Sequence, residues 1–497
     1  MKKTIAILVF AIFITCTFAQ KLPVLSKPQM YADFDTLCMV LTKISPCDYV
    51  RRTVNNYSMT DSILSLKKNI DTITSTETFY WLVNRALTYV QEGHTSIVGS
   101  DYYSDIDSLD AIKHHSTIAD TSIINLYDEL YWSKVECYEL ELPIKYVNGE
   151  YRVLCDFKYK DKLIPYNSVI TACNNQNIHK YVNQLLGTSE MMRWDFENKR
   201  FYARNFFRSS HLQCTDSIKI FFSNNGKNIQ QSFLLNDTVI LSKPLKYRQN
   251  QIPKVLYFPK EQILYVRMPE MNEDETNFYL HKIDSVSKNN KIKNMIIDIR
   301  DNGGGSDYAW MNILKHIIDK PILTKSIVCA NINNPGFYDT DGPLKSFKND
   351  FIKENIYKIL WDGTDTLEPD TNSLHFKGKI YVIENEYCFS SANALTSTCL
   401  FSDQLISIGN TTGWFAGKGI NPWVFILPNS KILYRIEPII DLGNITKPED
   451  IYHNSAEIPV KLTIDDYIIR YNYSGDWYDK EFLYKYDKVF KKILKQN

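Results

Sequence analysis

The chain has 497 residues, and its 57 lysines and arginines balance 57 aspartates and glutamates. No net field therefore draws it to nucleic acid or to an anionic membrane. With 33 tyrosines and 25 phenylalanines beside only 18 glycines and 18 prolines, it is not a low-complexity polymer and can build more than one core, enough for two or three domains.

Lys2 and Lys3 precede an apolar run from Thr4 to about Thr15, and Thr17-Phe18-Ala19 forms a small-x-small site. This pattern predicts a secretory signal peptide over 1–19, with the mature chain starting at Gln20. The run is too short to span a bilayer, and no later segment approaches about eighteen uncharged apolar residues, so no transmembrane anchor is expected. Cys16 offers a site for lipid attachment, which Thr15 before it suits poorly. The expected location is periplasmic, outer-membrane-associated or secreted. Nine cysteines remain after the signal, scattered and without a CxxC pair, so no zinc site is expected, and the odd count leaves at least one unpaired within the chain.

Residues 26–97 read as helical, with apolar residues at helical spacing in Phe34–Lys43 and Phe79–Val90 and a helix start at Ser75-Thr76-Glu77. The block ends at Glu92-Gly93-His94-Thr95. From about 139 to 240 the pattern is short and β-rich (Leu142–Tyr146, Tyr151–Phe157, Ser217–Phe222), broken by Asn148-Gly149 and Asn225-Gly226, with one helix near Ile178–Leu186. Leu241–Lys254, carrying Pro244 and Pro253, reads as a linker. Beyond it, strand, polar loop and helix alternate. The strands are Ile263–Met268, Asn294–Ile299, Ile380–Ile383 and Leu405–Ile408, and helices follow to about Ile318 and Phe401. An α/β core with its site at the strand ends follows from this order. Asn333–Asp341 and Asp362–Asn372 are rich in turn residues and read as an inserted loop or lid.

Ser390 follows a buried strand and opens a helix, where free N–H groups and the positive dipole end suit a developing oxyanion. On that segment alone, capping the helix is the commoner job for a serine. Gly303, Gly304 and Gly305 after a strand permit close backbone approach, as an oxyanion hole, a phosphate cradle or a plain turn would require. No Lys-Ser/Thr pair follows, which disfavours a nucleotide loop. His94 stands out only by its position at the end of the helical block.

Together these segments resemble peptidase family S41, the tail-specific or C-terminal-processing proteases. Asp298-Ile299-Arg300-Asp301-Asn302-Gly303-Gly304-Gly305 matches the family's glycine-rich signature, and Cys388-Phe389-Ser390-Ser391-Ala392-Asn393 follows its nucleophile motif with substitutions. Gly409 to Thr412 and Glu92-Gly93-His94-Thr95 fall where two further elements are expected. The resemblance implies Ser390 as nucleophile, with Ser391 next to it in reach of a one-residue slip. It implies an oxyanion hole from the N–H groups of Ser391 and Gly304. For the general base it offers two branches. In the tricorn-like branch His94 is the base, oriented by Glu449 or Asp450; in the dyad branch a lysine serves, and Lys418 lies nearest. An imidazole titrating near neutrality is the better base at ordinary pH. The implied fold is a crotonase-like (ClpP/crotonase) α/β catalytic core over 255–480, an N-terminal helical domain over 20–100 and a small PDZ-like β module over 125–243. The implied activity is hydrolysis of peptide or unfolded-protein substrates, without metal or cofactor. Asn393 and Cys388 depart from the family's usual glutamate and threonine. They keep open a degenerate, peptide-binding relative on the same scaffold.

Overall fold

The computed structural model describes residues 21–105, 120–135, 140–188, 192–203, 217–235, 237–246, 251–334, 345–412, 422–443, 445–451 and 456–496. Near the N-terminus lie helices α1 (Lys27–Lys43), α2 (Asp48–Thr53) and α3 (Thr76–Thr88). Ser26 and Gln29 form a capping box on α1, and the Ser75 hydroxyl accepts the Thr78 N–H to start α3. A two-residue strand, β1 (Ser96–Ile97), follows.

The β-rich segment forms an antiparallel sheet of β2 (Ile144–Val147), β3 (Glu150–Val153), β4 (Val169–Cys173), β5 (Ser217–Asn224) and β6 (Lys227–Leu234), with helix α4 (Ile178–Gln184) beside it. Its alternating side chains Ile218, Ile220 and Phe222 face inward. They join one apolar core with Phe34, Phe79 and Leu87 of the helices.

The rest of the chain is built on a six-stranded sheet. Strands β7 (Lys254–Phe258) and β8 (Ile263–Arg267) are antiparallel. From β8 the order runs in parallel through β9 (Asn294–Asp298), β12 (Ile380–Glu384), β13 (Leu405–Gly409) and β17 (Ile458–Pro459). β8, β9 and β12 are buried along their whole length, as expected for parallel strands covered on both faces. Leu264, Met295 and Val382 pack under α5 (Thr276–Asn289), α6 (Asp307–Ile317) and α7 (Ser391–Cys399). Tyr265, Ile296 and Ile383 pack on the other side against α9 (Lys480–Lys485) and α10 (Lys488–Leu494); α8 (Ile464–Asn472) precedes these two in the chain.

Two further antiparallel sheets join segments remote in sequence. One pairs β10 (Ile322–Asn331) with β11 (Tyr357–Leu367) and β16 (Ile439–Asp441). The turn-rich reading of Asp362–Asn372 is corrected here: residues as far as Leu367 continue β11, because Asp362, Thr364 and Thr366 pair with Ile327, Lys325 and Leu323. The other joins the hairpin of β14 (Trp423–Ile426) and β15 (Leu433–Ile436) to β1. The buried Asp33 of α1 accepts the N–H groups of Asn429 and Ser430, tying this hairpin's turn to the N-terminal helices. All seven cysteines among the described residues are buried and unbonded. No helix among them is long and apolar enough to cross a membrane.

Candidate active site

Strand β9 runs directly into the glycine run, and its end is held by buried charge. The Asp298 carboxylate accepts from Arg300 Nε (3.0 Å) and from the Tyr265 hydroxyl (2.8 Å). Arg300 reaches Asp487 with a second nitrogen at 2.6 Å. Burial alone would raise the Asp298 carboxyl, but the Arg300 and Arg267 charges hold it below the usual range. Asn302 then bridges to the next loop. Its backbone oxygen accepts the Phe389 N–H (3.1 Å), and its side chain donates to Met268 O (3.0 Å).

Ser390 lies in the sharp turn from β12 to α7, at φ 52° and ψ −124°, a region that residues with a side chain rarely occupy. Its hydroxyl makes no cap hydrogen bond to the helix. Instead Oγ lies 3.3 Å from His94 Nε2. The neighbouring Ser391 hydroxyl is buried and meets no partner among the described residues. The two serines are therefore distinguished by geometry, and the histidine belongs to Ser390.

His94 reaches this place through strand register. Ser96 pairs with Arg435 and Ile97 with Tyr434; continued by two residues, the antiparallel register sets His94 opposite Glu437. The Glu437 N–H donates to Thr95 Oγ1 at 3.4 Å. His94 Nδ1 lies 3.7 Å from Glu437 Oε2 and 3.3 Å from Glu92 Oε1, and both carboxylates are buried. Glu92 is occupied with its own turn, accepting the His94 N–H at 2.9 Å and the Thr95 hydroxyl at 2.9 Å. Upstream, the fully buried Arg51 donates to Val90 O at 2.9 Å and to Gln91 O, which fixes the chain entering the turn.

The acids expected beside His94 are elsewhere. Asp450 accepts the N–H groups of Thr446 and Lys447 within its own turn, Pro448–Ile451, and no contact among the described residues joins it or Glu449 to His94. Glu437 and Glu92 occupy that position instead. The sequence signal for Glu437 was a carboxylate directly after the apolar strand Leu433–Ile436. Gly304 also differs from expectation: its N–H goes to Asn302 Oδ1 at 2.8 Å. What it contributes is room, since a Cβ there would sit 2.7 Å from Ser390 Cβ and 3.2 Å from the Ser391 nitrogen. Ser391 N–H heads α7 and has no acceptor within the helix. Lys418 lies outside the described residues. No cluster among the described residues has a metal-holding arrangement.

Beneath this loop, Glu384 at the end of β12 is 1% exposed, with the Thr396 side chain beside its carboxyl. Burial raises its carboxyl well above the usual range, against a smaller lowering by the Thr396 hydroxyl. Between the ordinary and the raised value the native state binds the extra proton, so stability falls as pH rises through that window. Glu384→Gln is expected to stabilise the protein by about 1–3 kcal/mol above neutral pH and to change little near pH 4. Urea titrations at the two pH values test this; equal effects at both would reject it.

Residues 262–442 match the family model of Peptidase family S41, a span that includes Ser390, the glycine run and Glu437 but not His94. No curated protein matches the sequence. Among solved structures, mature CPAF complexed with lactacystin is similar at 11% identity and a TM-score of 0.57, over 95% of this chain and 99% of that one. Mature CPAF alone is similar at 10% identity and a TM-score of 0.57, over 95% and 98%. The photosystem II D1 C-terminal processing protease aligns at 13% identity and a TM-score of 0.37, over 90% and 98%. The two CPAF structures share this chain's fold through nearly its whole length. The glycine-rich signature and Ser390, which is set against His94, thus lie within a stretch, residues 262–442, that matches Peptidase family S41.

Proposed function

We propose that the protein is an exported peptidase that hydrolyses unstructured polypeptide through an acyl-enzyme on Ser390, with His94 as general base. The carrying observation is the 3.3 Å approach of His94 Nε2 to Ser390 Oγ, which is near hydrogen-bond reach for proton transfer. His94 takes the hydroxyl proton as Oγ attacks the scissile carbonyl and returns it to the leaving amine; water then repeats the cycle on the ester. Glu437, across the sheet from His94, orients the ring and stabilises its cation, while Glu92 fixes the turn that carries it. The Ser391 N–H and the open N-terminus of α7 stabilise the oxyanion in the space left by Gly304.

The helices over 20–100, the β-rich segment over 125–243 as a PDZ-like module, and a crotonase-like core over 255–480 make up the proposed organisation. The basic and then apolar start of the chain supports export, with residues 1–19 removed. Labelling with a fluorophosphonate and mapping the adduct by mass spectrometry tests the mechanism. The adduct is expected on Ser390; an adduct on Ser391, or none, would overturn this assignment.

A further inference from the structure

The short segment before the nucleophile is gripped by the β-rich module. Lys145, on β2, donates to the Tyr387 hydroxyl at 2.9 Å and to Glu386 Oε1 at 3.2 Å. Its ammonium lies 4.6 Å over the Tyr467 ring and 5.1 Å over the Tyr387 ring. Arg193, from the same module, donates to the backbone oxygen of Glu386 and lies 5.0 Å over Tyr387. On the core side, Asn410 donates to Glu386 Oε2 at 3.2 Å. The Asn385 side chain accepts the N–H groups of Asp301 and Tyr387 at 3.0 and 3.1 Å.

Two cavities of about 360 and 340 Å³ flank this bridge, and both are lined by Lys145, Glu386, Tyr387 and Tyr467. The module therefore meets the catalytic loop here through a few polar contacts across a hollow. Most of its apolar packing lies in the core shared with the N-terminal helices, and a smaller cluster sets Val147 and Leu154 against Tyr467 and Ile468 beside the bridge.

Ser390 sits in a sparsely allowed backbone conformation three residues beyond Tyr387. Such a conformation persists only where its surroundings over-determine it. We infer that Lys145 and Arg193 are positioning residues for catalysis: the module, by clamping Glu386 and Tyr387, holds Ser390 in its attacking geometry. The inference rests on Ser390 being the nucleophile. Because the cations act through the loop and their module is anchored by apolar packing, their loss changes acylation more than folding.

The test is fluorophosphonate labelling rate, kcat and KM for a casein-derived peptide, and thermal melting, all on the full chain. Lys145→Met and Arg193→Met are each expected to slow labelling and kcat by about 10–100-fold, the scale of a misplaced reacting group. KM stays within about 3-fold, and Lys145→Arg, which can still meet Glu386, recovers most of the rate. Tyr387→Phe removes one contact without leaving a buried charge, and it decides the matter if the methionine variants do not fold. A several-fold slower labelling with an unchanged melt supports the clamp, and an unchanged rate overturns it. A rise in KM alone, or activity lost in step with the melt in Lys145→Arg as well, also overturns it. Wild-type protein that takes no label on Ser390 rejects the nucleophile assignment itself, and the clamp with it.

Discussion

Ser390→Ala is expected to lower peptide turnover by about a millionfold, and His94→Ala by a similar factor, because nucleophile and base act as one unit. The double variant should then be no slower than either single one. Glu437→Gln should cost on the order of 10⁴ in kcat, as loss of the orienting acid does where a histidine depends on it. Glu92→Gln should act chiefly on the turn, since that carboxylate is engaged by the His94 N–H and the Thr95 hydroxyl. Turnover of casein by the four variants, with Lys418→Ala beside them, checks the scheme. Lys418→Ala should retain activity; if it loses activity while His94→Ala keeps it, the lysine is the base and the Ser-His reading is wrong.

The second large effect concerns stability. Arg300 lies between Asp298 and Asp487, all three buried, at the point where β9 gives way to the glycine run. Removing the cation alone strands two carboxylates away from water, so Arg300→Met is expected to destabilise by about 3–5 kcal/mol. The two carboxylates are separate sites, and Asp298 retains Tyr265 as a donor. The acid limb follows from the same charges. Asp298 is held below its ordinary range, and Asp301 falls to about 2 because Arg470 and a hydrogen bond from Asn385 outweigh its burial. Their stabilisation is present above the ordinary aspartate range and is lost as pH falls through the lowered values. Urea unfolding of Arg300→Met at neutral pH gives the measurement, and a change under 1 kcal/mol would show that the charges are not coupled as described.

The closeness of Ser390, His94 and the glycine run was legible in the sequence because each sits in a short motif at the end of a regular element. The strand Asn294–Asp298 and the helix after Ser390 could be recognised from local pattern alone. Glu437 was not legible by counting, because its place beside His94 comes from the pairing of β1 with β15, a contact between remote segments. The resemblance implied Glu449 or Asp450 beside His94, but the N–H groups of Thr446 and Lys447 claim the Asp450 carboxylate. The resemblance implied Gly304 as an oxyanion donor; the Asn302 side chain two residues earlier takes its N–H. Ser390 against Ser391 was decided by the backbone turn, which composition does not express.

The proposed base, His94, and the proposed nucleophile, Ser390, are 296 residues apart along the chain, and the strand that aligns His94 comes later still, at Leu433–Ile436. A growing polypeptide thus carries a histidine with nothing to activate, and then a serine with no aligned partner. Only when the β14–β15 hairpin has formed does β1 acquire its register. On the proposed mechanism, cleavage competence therefore waits for the Leu433–Ile436 strand, which shields unfolded segments made before it.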